Sequence, residues 1–520
     1  MTRSSHDVQI AIGKRAAVSS GHKLASVESL RILASGGNIV DAAIGGAMVL
    51  SVVLPYACGI GGDMYMLYHD AGTGITHGLN GTGAAPSKAH PFEFGGSMPQ
   101  TGVRAATVPG VLMAWQDALS RFGTRRMSEL LQPAILYARK GFQAHEGLFQ
   151  NASEKRSLLE RNVEASRIYL PGGNPHPIGH LVIQKELADS LSAVAEGGVN
   201  VFYEGELARR WIEGTDALGG LFTVEDFIRH RSLWQSAMSA DFYGNSILTM
   251  PPNSSGVGLL LQLLALEAKR IDLISPCDGE FFIQTLRAWR WAQPVADSVI
   301  GDPRDAVVLA KIMLESFSSN PSNIGIDSTE LGEGPASGDT SNLVIMDDKG
   351  NAVSLVQSVS APFASGVVLP GTGILLNNRM RGFNLDEGNI NCVAPGQRPA
   401  HTLVPALICR NGKVVMAIGT PGAAGQTITL AQVLCRIFAC RQDAALAIAA
   451  PRWSISPSGK VILEDNATAP VVATLRQHEP ALKLAPMRHV RFGSVKLVWK
   501  DNERLIGAAD FRRVASTAAY

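Results

Sequence analysis

The chain carries almost no net charge: 46 Lys and Arg stand against 45 Asp and Glu, and neither sign gathers into a cluster. That balance leaves no footprint for nucleic acid or for an anionic membrane surface. Long apolar runs are missing too. The strongest, Ala42 to Pro55, is 14 residues, too short to span a bilayer, and it reads as a buried helix. Met1 to Asp7 have no apolar stretch after their charge, so no secretory leader is expected and a cytoplasmic location is. The six cysteines (Cys58, Cys277, Cys392, Cys409, Cys435, Cys440) include no Cys-x-x-Cys pair, which predicts reduced structural thiols and no metal site.

The familiar catalytic signatures are also lacking. A serine hydrolase elbow, Gly-x-Ser-x-Gly, does not occur, and His145-Glu146 has no second His to make a zincin. Gly61-Gly62 belongs to no complete Gly-x-Gly-x-x-Gly or Walker pattern, so close backbone packing is the better reading than a phosphate cradle. No organic cofactor is implied.

What the chain does have is a hairpin in its second half. Leu343 to Met346 is a short run of β-formers, residues 347–351 hold the Asp, Gly and Asn that turns need, and Ala352 to Val359 is a second strand. The first strand is apolar on both sides, as in a sheet covered on both faces. The 24 residues from Ser316 to Asp339 include six Ser, four Gly and two Pro, and are expected to be an exposed, mobile tail. A loose tail running into a buried strand at Gly338-Asp339-Thr340 has two readings. One is a turn. The other is a cut chain, with Thr340 as a new N-terminus whose α-amine, of ordinary pKa about 7.7–8.0, serves its own hydroxyl as base.

Before the hairpin the chain reads as mostly helical. Ala25 to Ala34 has helical spacing and stops at Gly36-Gly37, and Asn38 caps a second helix running to about Leu54. Lys155 to Arg167 reads as a charged, exposed hairpin, Thr223 to Asp226 as a capping box, and Glu280 to Ala292 as a helix stopped by Pro294. After the hairpin come short strands at Gly366–Gly373, Leu403–Cys409, Val414–Ile418, Val461–Glu464, Arg491–Trp499 and Arg504–Ala508, around a helix near Ile428 to Ala439. Gly419 to Gln426 is a glycine-rich loop between strand and helix. Its N–H groups can form an oxyanion hole, or the loop is only a turn.

Several spaced segments together carry a resemblance: Gly36-Gly37-Asn38-Ile39-Val40-Asp41-Ala42-Ala43, Gly59-Ile60-Gly61-Gly62-Asp63, Thr107-Val108-Pro109-Gly110, Pro251 to Gly256, Gly301-Asp302-Pro303, Asp339-Thr340, Gly350 to Ser354, Ser365 to Val368, Gly373 to Asn378, Arg398-Pro399, Gly419 to Gly422 and Gly507 to Asp510. In this order they resemble the γ-glutamyltransferase family of N-terminal-nucleophile hydrolases over nearly the whole chain. The resemblance implies an α+β fold, an αββα sandwich. It implies a precursor that cuts itself between Asp339 and Thr340 into associated fragments 1–339 (with the tail 316–339) and 340–520, standing either as one such heterodimer or as a dimer of these. Thr340 is then the nucleophile, Ser358 the hydroxyl bonded to it, and Gly422 and Ala423 the oxyanion pair, normally two glycines. Ser360 stands where the family has a substrate-contacting Asn.

Departures from the family pattern fall on substrate recognition. Thr82 stands where the family has an Arg for the substrate α-carboxylate, and Gly382 where it has an Asp for the α-amine. Losing both should cost several kcal/mol, at about 1.5–3 per charge-assisted contact. His401-Thr402 replaces a Ser-Ser pair. Arg379, His401 and Thr402 look closer to the oxamate amidohydrolase branch, with Arg379 either binding a small anionic acyl group or tied into a salt bridge. The implied activity is hydrolysis or transfer of a small-molecule amide. A γ-glutamyl hydrolase or transferase and a non-catalytic family member are the alternatives.

Overall fold

The computed structural model describes residues 8–325 and 338–520. Residues 1–7, on which the absence of a leader was read, and 326–337, the middle of the expected tail, lie outside them. Fourteen strands form two seven-stranded sheets. In chain order they are β1 (Gln9–Gly13), β2 (Ala16–Ser20), β3 (Asp63–Asp70), β4 (Ile75–Gly81), β5 (Leu233–Ser236), β6 (Met238–Phe242) and β7 (Asn245–Thr249). Then come β8 (Asp339–Asp347), β9 (Ala352–Ser360), β10 (Ala406–Arg410), β11 (Lys413–Gly419), β12 (Lys496–Asp501), β13 (Arg504–Ala509) and β14 (Ser516–Ala519).

One sheet runs β1-β13-β12-β11-β10-β7-β6 and the other β14-β2-β8-β9-β3-β4-β5, every pairing antiparallel. Each sheet thus draws strands from both sides of Thr340, and β2 lies between β14 and β8. The alternation along β8 shows why the sheets stack. Leu343 and Ile345 enter a core shared with the helices Lys23–Ala34 (α1) and Ile39–Val53 (α2), whereas Val344 and Met346 meet Leu407, Ala417 and Val498 of the facing sheet. The outer face of the other sheet is covered by α3 (Gly256–Ala268), α4 (Gly279–Asp297) and α5 (Gly425–Leu434). The architecture is the expected αββα sandwich.

Asn38 accepts from Val40 N and Asp41 N while Asp41 accepts from Asn38 N, the capping box that starts α2. Four sequence expectations are corrected. The chain at 155–167 is no exposed hairpin: it forms two short helices, Arg156–Leu159 and Val163–Tyr169, anchored by buried Leu159 and Ala165. The helix α4 runs through Pro294 to Asp297, because buried Trp291, Ala292 and Ala296 hold it against its neighbours despite the lost N–H. Gly366–Gly373 forms no strand. Residues 316–319 are not part of a tail, since they complete the helix Pro303–Ser319, and Asp339 is itself a buried strand residue.

Candidate active site

Strand β8 begins at Asp339, and its register against β9 slips there. Asp339 pairs with Ser360 but Ser341 with Gln357, so Ser358 and Val359 both stand opposite Thr340. The bulge brings two hydroxyls to one carbonyl. Thr340 Oγ1 donates to the Asp339 backbone oxygen at 2.7 Å, and Ser358 Oγ donates to the same oxygen at 2.7 Å. Ser358 Oγ in turn accepts from Ser360 N at 2.8 Å, with Ser360 at φ +91°. All of Asp339, Thr340 and Ser358 are buried. The glycine loop before β3 is pressed on the backbone here: a Cβ on Gly62 would lie 2.4 Å from the Ser358 carbonyl oxygen, so 61–62 is a packing motif.

The loop after β11 forms the far wall. A Cβ placed on Gly338 would come within 2.7 Å of the Ala423 Cβ, which puts that loop against the residue before Asp339. Gly422 has φ +135° and Ala423 φ +51°, and their carbonyls accept from Gly425 and Gln426 at the start of α5. Among the described residues neither N–H of this pair is used inside the protein. Ala423 therefore tolerates the left-handed conformation, at a cost of roughly 1–2 kcal/mol. Ala423→Gly is expected to add up to about 1 kcal/mol of stability, the relief being offset in part by unfolded-chain entropy. Urea unfolding checks it, and a loss would contradict the account.

A second cluster sits one strand over. Asp63 pairs with Ser358 across β3 and β9. Its Oδ2 receives Arg379 Nε at 3.2 Å and His401 Nε2 at 3.2 Å, all three side chains buried. Of the two readings of Arg379, the salt bridge is therefore realised. It does not use up the side chain: Arg379 Nη2 and His401 Nδ1 are buried without partners among the described residues. Burial drives the His401 imidazole down to about 4, and the Arg379 charge adds to this against the pull of Asp63. The ring is neutral near pH 7; with Nε2 donating to the carboxylate, Nδ1 is left as an acceptor. Burial pushes Asp63 up, but the His401 hydrogen bond and the Arg379 charge outweigh it and hold the carboxyl below its ordinary range.

Thr82 and Gly382 have ordinary structural settings. Thr82 Oγ1 donates to Asn80 Oδ1 at 2.7 Å and receives Asn253 Nδ2, inside a buried network with Tyr65. Gly382 ends the turn Arg379–Gly382. Thr402 is half-buried beside His401. Sequence reasoning missed Asp63 as the partner of Arg379 and His401; its only mark is a lone carboxylate entering an apolar strand. It also missed Lys496, fully buried at the facing end of β12 and driven down to about 7, chiefly by burial.

Burial also lowers His22 and His230 to about 3. With His401, these rings bind protons in the unfolded chain below about 6.5 but in the folded one only near 3–4. The unfolded state then holds more protons between those values, so stability falls as pH drops from about 6.5 toward 4, by up to about 1.4 kcal/mol per unit for each ring. Denaturant midpoints at pH 7.5 and 5 test this; equal values would contradict it.

Two stacked antiparallel sheets between helical layers, with Thr340 near the start of an inner strand, have the αββα architecture of N-terminal-nucleophile hydrolases. The gamma-glutamyltranspeptidase family model matches residues 25–520, and the chain belongs to that family. It is similar to the glutathione hydrolase-like YwrD proenzyme of Bacillus subtilis, at 34% identity over 85% of each chain. It is also similar to the oxamate amidohydrolase proenzyme of Klebsiella pneumoniae, at 31% identity over 96% of this chain and 97% of that one. In structure it resembles cephalosporin acylase from Bacillus halodurans, with TM-score 0.88, 27% identity, and coverage of 100% and 98%. Among the described residues no helix is long and apolar enough to cross a membrane.

Proposed function

We propose that the chain is a self-processing N-terminal-threonine amidohydrolase that cleaves a small, oxamate-like acyl amide. The observation carrying this is the pair of hydroxyls, Thr340 Oγ1 and Ser358 Oγ, on the Asp339 carbonyl oxygen. In self-cleavage Thr340 Oγ bonds to the Asp339 carbonyl carbon, the Asp339–Thr340 C–N bond breaks, and the hydroxyl proton passes to nitrogen. Water then hydrolyses the ester, giving a C-terminal Asp339 and a free α-amine on Thr340. Fragments 1–339 and 340–520 stay together.

In turnover that amine takes the Oγ proton as Oγ attacks the substrate amide. Gly422 and Ala423 N–H groups, with Ser358, stabilise the oxyanion, the amine leaves, and water or an acceptor amine resolves the acyl-enzyme. Arg379 Nη2 and His401 Nδ1 supply a charged donor and an acceptor for a short anionic acyl group, with Ser360 and Thr402 as neighbouring contacts. The six free cysteines fit a reducing, cytoplasmic setting. Processed protein is tested on oxamate and glutathione, reading released ammonia or amine. Faster oxamate turnover supports the reading; faster glutathione turnover transfers it to a γ-glutamyl hydrolase, and no turnover of any amide leaves a non-catalytic member.

A further inference from the structure

The residue on the acyl side of the bond to be cut is an aspartate, and its side chain faces back onto that bond. Asp339 Oδ1 accepts from Thr340 N, the nitrogen that must leave, at 2.8 Å. The same oxygen is gripped by Arg513 Nη1, whose Nη2 is fixed on the Val490 carbonyl. The carboxylate is thus held at the leaving atom by a guanidinium anchored elsewhere in the fold, rather than swinging in solvent.

Self-cleavage has a proton problem that turnover does not. In the precursor Thr340 has no free α-amine, so the base of the mature enzyme does not yet exist, and the hydroxyl proton must still reach the amide nitrogen. Thr340 Oγ1 and Thr340 N both lie against Asp339, one on its carbonyl and one on its carboxylate. A carboxylate at hydrogen-bond distance from the leaving nitrogen can carry that proton.

We propose that Asp339 is the acid–base residue of its own cleavage, that Arg513 is the positioning residue that aims it, and that the pair acts once, before maturation. As the Oγ–C bond forms, the Oγ proton passes to Asp339 Oδ1. As the C–N bond breaks, that proton passes to Thr340 N, which becomes the free amine. The carboxylate ends as it began, and hydrolysis of the ester by one water releases it with its fragment. This rests on the self-processing read above and extends it to the step that creates the nucleophile.

Titratable groups near the Asp339 carboxylate are Arg513, Lys496, Tyr56 and Cys58. Glu146, Arg488 and Asp510 line the same ≈ 430 Å³ cavity. None of these hydrogen-bonds the leaving nitrogen among the described residues, whereas Asp339 does.

The test is the first-order conversion of newly synthesised full-length chain to two fragments, made in a cell-free system and followed by denaturing electrophoresis from pH 4.5 to 8. Asp339→Asn keeps the shape and the acceptor oxygen but carries no proton. It is expected to slow conversion by about 10²-fold or more and to abolish any acid limb of the rate profile. Arg513→Gln is expected to slow it about tenfold, with Arg513→Lys recovering much of the loss. Thermal midpoints of the same substitutions in an uncleavable Thr340→Ala chain separate a folding defect from a chemical one. Asp339→Asn converting within threefold of wild type, or keeping the wild-type pH profile, overturns the proposal. Arg513→Gln at the wild-type rate overturns the role of Arg513. A wild-type chain that never converts defeats the self-processing reading itself, a result distinct from either.

Discussion

Replacing Thr340 by Ala should leave one band of 520 residues on a denaturing gel and no measurable amide turnover. The reasoning is local. The Thr340 hydroxyl lies 2.7 Å from the Asp339 carbonyl oxygen, at the bond proposed to be cut, and the Ser358 hydroxyl on the same oxygen is a donor committed to it. Ser358 also accepts from Ser360 N, which fixes its rotamer and leaves it stabilising charge rather than attacking. Loss of a nucleophile in such a constellation costs on the order of 10⁶-fold. Thr340→Ser, which keeps the oxygen, should still cut and turn over, at a reduced rate because the lost methyl frees χ1. Two fragments from the Ala variant, or Thr-Ser-Asn-Leu never appearing as an N-terminus of wild-type material, would refute the mechanism.

The next largest effect is expected at Asp63. It is the only carboxylate bonded to both Arg379 and His401 among the described residues, and all three are buried. Asp63→Ala leaves the Arg379 charge in the interior without its counter-ion, which costs about 3–5 kcal/mol. Compensation distinguishes stability from function. Asp63→Leu with Arg379→Met removes both charges and should recover most of the stability, because an apolar pair of similar volume is no worse than a buried ion pair. Activity should not return, since the donor proposed for the acyl group has gone. Urea unfolding beside a turnover assay reads both. A loss below about 1 kcal/mol in Asp63→Ala would show the pair to be solvated, and activity restored in the double variant would remove Arg379 from the substrate site.

Much of this was legible in the residues. The hairpin around residues 347–351 announces itself by turn chemistry, and the cap at Asn38 by its Asp41 three residues on, because both are local signals. The layered fold and the choice of Thr340 followed from the family resemblance that many spaced segments carry together. What was not legible is what joins distant segments. Asp63 stands 316 residues from Arg379 and 338 from His401, and the pairing of β3 with β9 and the turn Arg379–Gly382 bring them together. Arg513 and Asp339 meet across 174 positions for the same reason. Pro294 misled in the other direction. Its local effect is to end helices, and burial of its neighbours overrode it.

The interleaving of strands has a last consequence. If the chain is cut before Thr340, β2 remains clasped between β14 and β8, and β13 and β12 still separate β1 from β11. Neither fragment retains a complete sheet, so neither is a subunit in the usual sense. Dissociation would require unravelling both layers at once, which makes separation and unfolding one event. The matured pair should therefore melt in a single transition, with no folded fragment surviving separation, and its midpoint should rise from nanomolar to micromolar concentration because unfolding releases two chains.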